Sequence, residues 1–164
     1  MPCRWACLRV WSRVCWPRDH LPRSEGRTHG VEAWAQWHAT DRWRLDAGGT
    51  VLRTTLEVTP GEVDLGGIAA LGNDPRHWFK LRSSMDITPR HNWEVSLRHF
   101  GALPQQAVPA YTAVDTRLAW QASPSFEVAL VGRNLFDSWH AEWGPAANRV
   151  EFERELLLQL RWQL

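Results

Sequence analysis

The sequence predicts an all-β protein, an antiparallel up-and-down meander of about seven strands that forms part of a transmembrane β-barrel. Three observations predict this fold class. Apolar and polar residues alternate with a period of two over seven stretches of the 164 residues. The connections between these stretches are alternately short and longer, and the positions opposite the apolar ones carry many charges. Because successive side chains of a strand point to opposite sides, a period of two indicates strands with one apolar face.

Residues 154–164 show the alternation most clearly. One face carries Leu156, Leu158, Leu160, Trp162 and Leu164, and the other carries Leu157, Gln159, Arg161 and Gln163. A helix would need apolar residues three and four positions apart, and this stretch does not provide them. Its length suits the roughly 9–11 residues of a tilted transmembrane strand, and its Trp lies where an interfacial aromatic residue belongs. A strand of a soluble sandwich has the same pattern, so this stretch alone leaves both alternatives open.

The composition is that of one domain with a core. The net charge is +1 with 23% charged residues, which gives no indication of nucleic-acid binding. No run approaches the roughly 18 apolar residues of a transmembrane helix, but a barrel distributes its membrane surface over alternating positions. The unusual count is 12 Trp against one Tyr. Trp prefers sites with one dry and one wet side, which favours a membrane interface.

Six further strands and their connections precede the terminal strand. The strands are predicted at 30–39, 43–58, 77–87, 93–100, 110–121 and 126–135. Short connections lie at 40–42, 88–92 and 122–125, and longer ones at 59–76, 101–109 and 137–149. Outer-membrane barrels have short periplasmic turns and longer extracellular loops. A soluble sandwich has no reason to sort its connections by length to opposite ends, so the pattern favours the membrane alternative.

Charged and aromatic residues of these strands fall at regular positions. The positions opposite the apolar ones carry Arg44, Asp46, Lys80, Arg82, Asp86, Glu94, Arg98, Asp115, Arg117 and Arg161. In a barrel these side chains point into the lumen, where opposite charges can pair. Tryptophans 43, 93, 120 and 162 all lie near strand ends on the side of the short turns. We expect them to form the periplasmic aromatic girdle of the barrel.

Residues 1–26 differ from the rest of the chain. Arg4, Arg9 and Arg13 interrupt every apolar run, so the segment lacks the continuous core of a secretory signal. The three cysteines, Cys3, Cys7 and Cys15, have no matched second pair, which disfavours a zinc site. We predict an unstructured or out-of-frame segment at 1–26 that does not pack against the sheet, with a disordered basic tail as the alternative. The barrel portion is predicted at 27–164.

Three stretches resemble a known family. The run N-L-F-D at 134–137 is similar to a signature near the end of TonB-dependent outer-membrane receptors. The runs V-P-A-Y-T-A-V-D-T-R-L-A-W at 108–120 and G-N-D-P-R-H-W-F-K-L-R-S-S-M-D-I at 72–87 resemble members of the same family. The resemblance covers roughly residues 27–164, and it identifies this part as a C-terminal barrel portion.

The resemblance implies the following function. TonB-dependent receptors import iron–siderophore complexes, cobalamin or similar nutrients through a barrel of 22 strands that encloses a plug domain. Residues 1–27 match neither the plug nor the TonB box, and Leu164 stands where the family usually has Phe. The chain is therefore expected to be a fragment that does not transport alone. Its implied partners are outer-membrane lipid, the barrel-assembly machinery, and the plug and upstream strands of a receptor, with TonB reached only through the plug.

No catalytic, cofactor-binding or metal site is predicted. The spacing of the residues does not assemble a nucleophile, a base and an orienting group, so we expect no enzyme and no cofactor. His77, His91, His99 and His140 fall in loops or near strand ends. His140 with Glu142 remains a candidate for ligand contact, because extracellular loops meet a substrate first. The competing hypothesis is a soluble β-sheet domain that binds a ligand or a partner.

Overall fold

The computed structural model describes residues 4–15, 24–58, 74–147 and 149–163. Its ten strands are β1 (Arg4–Cys15), β2 (Ser24–Thr40), β3 (Trp43–Val58), β4 (His77–Thr88), β5 (His91–Phe100), β6 (Tyr111–Ser123), β7 (Phe126–Arg133), β8 (Trp139–Ala141), β9 (Glu151–Glu153) and β10 (Glu155–Trp162). One turn of 3-10 helix lies at Pro104–Gln106. None of the helical structure in these ranges is long and apolar enough to cross a membrane.

Eight of the strands form one antiparallel sheet in the order β1-β2-β3-β4-β5-β6-β7-β10. Every strand pairs with its neighbour in the chain, except that β7 pairs with β10 across the small β8–β9 hairpin. The predicted meander is thereby confirmed. Within the described ranges β1 pairs only with β2 and β10 only with β7, so the sheet has two open edges.

The seven predicted strands all occur in the sheet, as β2 to β7 and β10. The predicted first strand is longer than expected, since β2 begins at Ser24. The predicted loop at 137–149 contains the short strand β8, which pairs with β9 directly after it, so the loop prediction is wrong at 139–141. The short connections at 41–42, 89–90 and 124–125 lie at one end of the sheet. The longer connections at 101–110, 134–147 and 149–154 lie at the other end, where β3 ends and β4 begins. Residues 59–73 of the predicted long loop and the terminal Leu164 lie outside the described residues.

The N-terminal segment differs from its expectation. Residues 4–15 form β1, which pairs with β2 from Arg4 opposite Trp37 to Cys15 opposite Gly26. The open edge of β2 supplies a row of backbone donors and acceptors that can pair with an added strand of almost any sequence. Gly30 adds a specific fit, because the Trp11 ring lies 3.1 Å from where a Cβ of residue 30 would stand. Residues 1–3 and 16–23 lie outside the described part.

The strand register gives the sheet two chemically different faces. Leu118 pairs with Leu130, and Leu130 pairs with Leu158, so these side chains share one face. The apolar face, as we call it, also carries Val128, Leu156, Leu160 and Trp162 of β7 and β10. The opposite, polar face carries Asp115, Arg117, Gln159 and Arg161, as the sequence predicts. Leu156 and Leu158 are 71% and 68% exposed, so no other part of the described chain covers the apolar face there.

Tryptophans line the apolar face at the end with the short turns. Trp43 and Trp93 lie on either side of Met85 in the register, and Trp162 contacts Phe126 edge to face. The Trp43 indole donates a hydrogen bond to Ser83 Oγ at 3.0 Å, and the Trp93 indole donates to Thr116 Oγ1 at 2.9 Å. These bonds explain two polar residues on the apolar face, because an indole N–H turned toward hydrocarbon needs an acceptor.

Little of the sheet is buried by other layers. The buried apolar residues within the described ranges are Val108, Ala113, Ala119, Ala129 and Ala141. Three of them, Ala113, Ala119 and Ala129, lie on the polar face, where small side chains allow other groups to approach the strands closely. The sheet therefore depends on strand pairing and cross-strand contacts rather than on a thick core.

Substitutions at two adjacent glycines of β3, Gly48 and Gly49, can test how closely neighbouring strands pack. A Cβ on Gly49 would stand 2.9 Å from the Trp78 carbonyl oxygen, whereas a Cβ on Gly48 would meet its nearest atom at 3.6 Å. We expect Gly49→Ala to lower the free energy of unfolding by about 1–3 kcal/mol, because a backbone carbonyl cannot move aside cheaply. Gly48→Ala should be neutral or slightly stabilising. Urea unfolding in detergent micelles measures both, and equal effects would contradict the packing described here.

Candidate functional site

The charged side chains of the strands gather on the polar face. All ten charged residues that the sequence places opposite the apolar positions lie there in the register: Arg44, Asp46, Lys80, Arg82, Asp86, Glu94, Arg98, Asp115, Arg117 and Arg161. The face is thus a continuous polar surface across β2 to β10. Such a surface suits a water-filled or protein-filled interior rather than hydrocarbon.

Ion pairs on the polar face connect neighbouring strands. Arg82 donates to Glu94 at 2.6 Å between β4 and β5, and Arg117 donates to Glu127 at 2.6 Å between β6 and β7. Arg133 and Glu155 join β7 to β10 at 3.1 Å. These groups are partly exposed, so each pair contributes at most about 1 kcal/mol. Their main effect is to fix the register and to balance the charge of the face.

A concavity of about 650 Å³ opens on the polar face between β2 and β6. Its polar lining comprises Gln36, Asp46, Lys80, Arg82, Ser96, Arg98 and Asp115. The Asp46 carboxylate already accepts hydrogen bonds from Gln36 at 2.8 Å and from Arg44 at 3.1 Å. Of its three cations, Arg82 is paired with Glu94 and Arg98 contacts Glu142, so Lys80 is the cation without an ion-pair partner among the described residues. An anionic group that enters the concavity would therefore meet Lys80 first.

A row of stacked rings crosses the polar face at the end with the longer loops. Ring centroids are 6.2 Å apart for Trp78 and Phe100 and 5.4 Å for Phe100 and Tyr111. The Tyr111 ring stacks on His140 at 4.2 Å. The Lys80 ammonium lies over Trp78 at 5.6 Å and over Phe100 at 5.8 Å, which places a cation beside two ring faces. Lys80, which lines the concavity, is thus the link between it and this row of rings.

The segment between β7 and β10 folds inward over the polar face. We call residues 134–147 and 149–153 the strap. Its β8–β9 hairpin places His140 opposite Phe152, and its His140 ring rests on Tyr111 of the sheet. Ala113, between Tyr111 and Asp115 on β6, is fully buried. The strap therefore packs against β6 on the polar face of the sheet.

The N-L-F-D run begins the strap with a tight corner. Asn134 has a positive φ of 50°, a left-handed conformation that Asn adopts more readily than most residues. Its backbone N–H donates to Asp115 Oδ1 at 2.9 Å, and its side-chain amide donates to the Phe152 carbonyl at 3.1 Å. Leu135 donates its N–H to Val114 and packs against Gly132, where a Cβ would stand 2.7 Å from Leu135 Cδ2. The motif thus sets where β7 ends and where the strap turns inward.

His140 and Glu142, the pair singled out in the sequence, do meet in the strap. His140 Nε2 lies 3.3 Å from Glu142 Oε1. His140 is only 4% exposed, because its ring is packed between Tyr111 and Phe152, so it supports the strap. Glu142 in turn contacts Arg98 of β5 at 3.4 Å. The tip of the strap is also bonded to the loop before β6, because the Gly144 N–H donates to Gln106 Oε1 at 2.7 Å. Local sequence pattern does not indicate Arg98, Tyr111 and Gln106 as partners of the strap, because all three lie far from it in the chain.

The other three candidate histidines, His77, His91 and His99, lie on the apolar face near strand ends. His77 and His99 stack at 5.5 Å, and His91 stacks on Trp120 at 6.4 Å. Within the described ranges no three His, Cys, Asp or Glu side chains lie close enough to hold a metal ion. Cys7 is exposed and unpaired, while Cys3 and the side chain of Cys15 lie outside the description. The absence of a catalytic, metal or cofactor site stays a prediction.

The fold matches solved structures of receptors. No family model and no curated protein matches the sequence. The ferric-catecholate import receptor Fiu from E. coli K12 matches at 17% identity and a TM-score of 0.73, over 97% of this chain and 25% of Fiu. FpvAI, in its complex with pyocin S2, matches at 15% and 0.70 over the same shares. The ferric yersiniabactin uptake receptor FyuA from Yersinia pestis matches at 20% and 0.62, over 85% of this chain and 24% of FyuA.

These matches concern the fold. The chain spans about a quarter of the length of each of the three proteins. The resemblance to the barrel portion of TonB-dependent receptors is thereby confirmed as a likeness of fold. The residues of this chain that do not match Fiu are fewer than the 12 residues of β1, so the match with Fiu includes at least part of this strand.

The corner at Asn134 can be tested with two substitutions. Asn134→Gly keeps the left-handed backbone at little cost but removes the amide that bonds Phe152, so we expect a loss of about 1 kcal/mol. Asn134→Ala loses the same bond and also strains the backbone, for a loss of about 2–3 kcal/mol. The measurement is the rate of limited proteolysis within the strap. Equal cleavage rates for the two variants would show that the left-handed corner is unimportant.

Proposed function

We propose that the chain forms part of the wall of a TonB-dependent receptor in the outer membrane of a Gram-negative cell. The observation that carries this proposal is the division of the eight-stranded sheet into one uncovered apolar face and one charged face. In a bilayer the apolar face would contact lipid, and the tryptophans near the short turns would lie at the periplasmic interface. The likeness of fold to Fiu, FpvAI and FyuA supports this arrangement.

The polar face then lines the interior of the receptor. In this position its concavity, with Lys80, Arg82 and Arg98, would face the plug and the path of the substrate. Fiu and FyuA, by their names, take up ferric catecholates and ferric yersiniabactin. We infer that the complete receptor imports an iron–siderophore complex, with cobalamin as the other substrate class of such receptors. The cations and rings of the polar face suit an anionic chelate.

The chain alone should not transport. Each edge of the sheet, at β1 and at β10, presents unpaired backbone groups among the described strands. Such groups cost several kcal/mol each in hydrocarbon, so the edges need the remaining strands of a barrel. The partners that this proposal implies are outer-membrane lipid, those strands, the plug, and the barrel-assembly machinery, with TonB reached through the plug.

The assignment of the two faces predicts opposite tolerance at neighbouring positions of β10. Arg in place of Leu158 would put a charge into hydrocarbon and should cost about 2–4 kcal/mol near the bilayer midplane. Arg in place of Gln159 would face the interior and should be tolerated. The measurement is the yield of membrane-inserted, protease-resistant protein in a chimera in which residues 4–163 replace the matching quarter of the Fiu chain.

Equal yields for Leu158→Arg and Gln159→Arg would contradict the membrane assignment. The alternative, a soluble β-sheet domain that binds a ligand or a partner, predicts a different result. In that case the 164-residue chain should be recovered in the soluble fraction, and Leu158→Arg should improve its solubility by removing an exposed apolar side chain.

A growth assay tests transport. In a strain without its own receptor for the ferric siderophore supplied, on iron-chelated medium, the 164-residue chain should not restore growth, because it lacks a closed lumen. The chimera with the Fiu plug and remaining strands should restore growth on the ferric catecholate that Fiu imports. The chimera carrying Leu158→Arg serves as a matched control and should fail. Growth supported by the 164-residue chain alone would contradict the proposal and favour a self-sufficient pore.

A further inference from the structure

Arg98 contacts both the concavity of the polar face and the strap. Its side chain lines the concavity of the polar face, and its guanidinium contacts Glu142 of the strap at 3.4 Å. Its Nε is buried without a hydrogen-bond partner among the described residues, so Arg98 has a donor to spare. The Glu142 oxygen that contacts Arg98 also lies 3.3 Å from His140 Nε2. Arg98 is thus the connection between the interior concavity and the outermost loop of the described chain.

The strap is held differently at its two ends. Its neck is tied by buried contacts, since Asn134 is 2% exposed and bonds both Asp115 and Phe152. Its tip is tied by polar contacts, one of them part-buried and one exposed. Gly144 donates its N–H to Gln106 Oε1 at 2.7 Å, Arg149 donates to the Ala107 carbonyl at 3.3 Å, and Glu142 meets Arg98. A segment whose neck is held by buried contacts and whose tip is held by a few polar contacts can open locally while its base stays in place.

An anion bound in the concavity could compete with Glu142 for Arg98. Lys80 stands over two rings and forms no ion pair within the described part of the chain. The Asp46 carboxylate is occupied by Gln36 and Arg44. An anionic group that enters the concavity therefore meets Lys80 and Arg98 together. To bind Arg98 fully, it has to compete with the Glu142 carboxylate.

We propose that Arg98 and Glu142 form a latch, which an anion in the concavity opens by taking Arg98 from Glu142, and that this weakens the attachment of the tip of the strap to the sheet. The latch rests on the proposed function in one respect, since that function places the concavity on the substrate path. A ligand shifts such an equilibrium only as far as it binds the open state more tightly than the closed state. The competition for Arg98 supplies this difference, because the anion gains the guanidinium only when Glu142 leaves it.

Amide hydrogen exchange of the full chain in detergent micelles tests the latch. Glu142→Gln removes the charge of the latch and should raise the exchange rate of the Gly144 amide about fivefold, as for a partly exposed ion pair worth about 1 kcal/mol. The matched control is Glu153→Gln, an exposed carboxylate of the same strap with no partner among the described residues. It should leave the exchange of the strap unchanged. The ladder amides of β6 and β7 should keep their protection in both variants.

A second set of exchange measurements adds an anion, inorganic phosphate. Inorganic phosphate, compared with sodium chloride at the same ionic strength, should raise the exchange of the strap in the unmodified chain and have no effect in Arg98→Gln. The latch is wrong if Glu142→Gln and Glu153→Gln act alike, if phosphate acts no differently from chloride, or if Glu142→Gln also deprotects the β6–β7 ladder. The last result would mean that the strap does not open separately. None of these readings depends on membrane insertion or growth, so failure of the latch and failure of the proposed function remain distinguishable.

Discussion

The register of the backbone ladder is the constraint on which the rest of the structure depends. The side-chain period of a strand is two, so a shift of one residue in any pair would turn a whole strand over. Across eight strands the ladder keeps Leu118, Leu130 and Leu158 on one face and Asp115, Arg117 and Arg161 on the other. A shift in one strand would place charges among the leucines. Both faces together therefore specify a register that neither face would fix as firmly alone.

The same constraint explains the polar residues that break the alternation. Ser83 and Thr116 lie on the apolar face, and each accepts the indole N–H of a Trp on a neighbouring strand. Thr116 also donates to the Glu94 carbonyl, so its hydroxyl is satisfied in both directions. Paired in this way, these groups can lie beside apolar neighbours at low cost. The apolar face thus tolerates the tryptophans because the register brings an acceptor to each of these two indoles.

The sequence predicts the parts of the fold that follow from local pattern. Strands β2 to β7 and β10, apart from the start of β2 at Ser24, follow from the period of two, as do the three short turns and the two faces. Strand β1 cannot be predicted in this way. Ala6, Leu8 and Val10 alternate on the apolar face, but the apolar residues Cys7 and Trp11 lie between and beside them on the polar face, so no period of two is visible. The strap cannot be predicted from local pattern either. Its position depends on Arg98 and Gln106, whose contacts with Glu142 and Gly144 join residues about forty positions apart.

The alternation of side chains between the two faces of β6 also determines where the strap can lie. Tyr111, Ala113 and Asp115 alternate along β6 and so project from the same face, which the strap contacts at both of the outer positions. The middle residue is Ala, and it is fully buried. A larger side chain at position 113 would separate His140 from Tyr111 and Asn134 from Asp115 at the same time. The partner strand places Arg98 opposite Ala113, so the small residue that admits the strap also brings its Glu142 within reach of the cation.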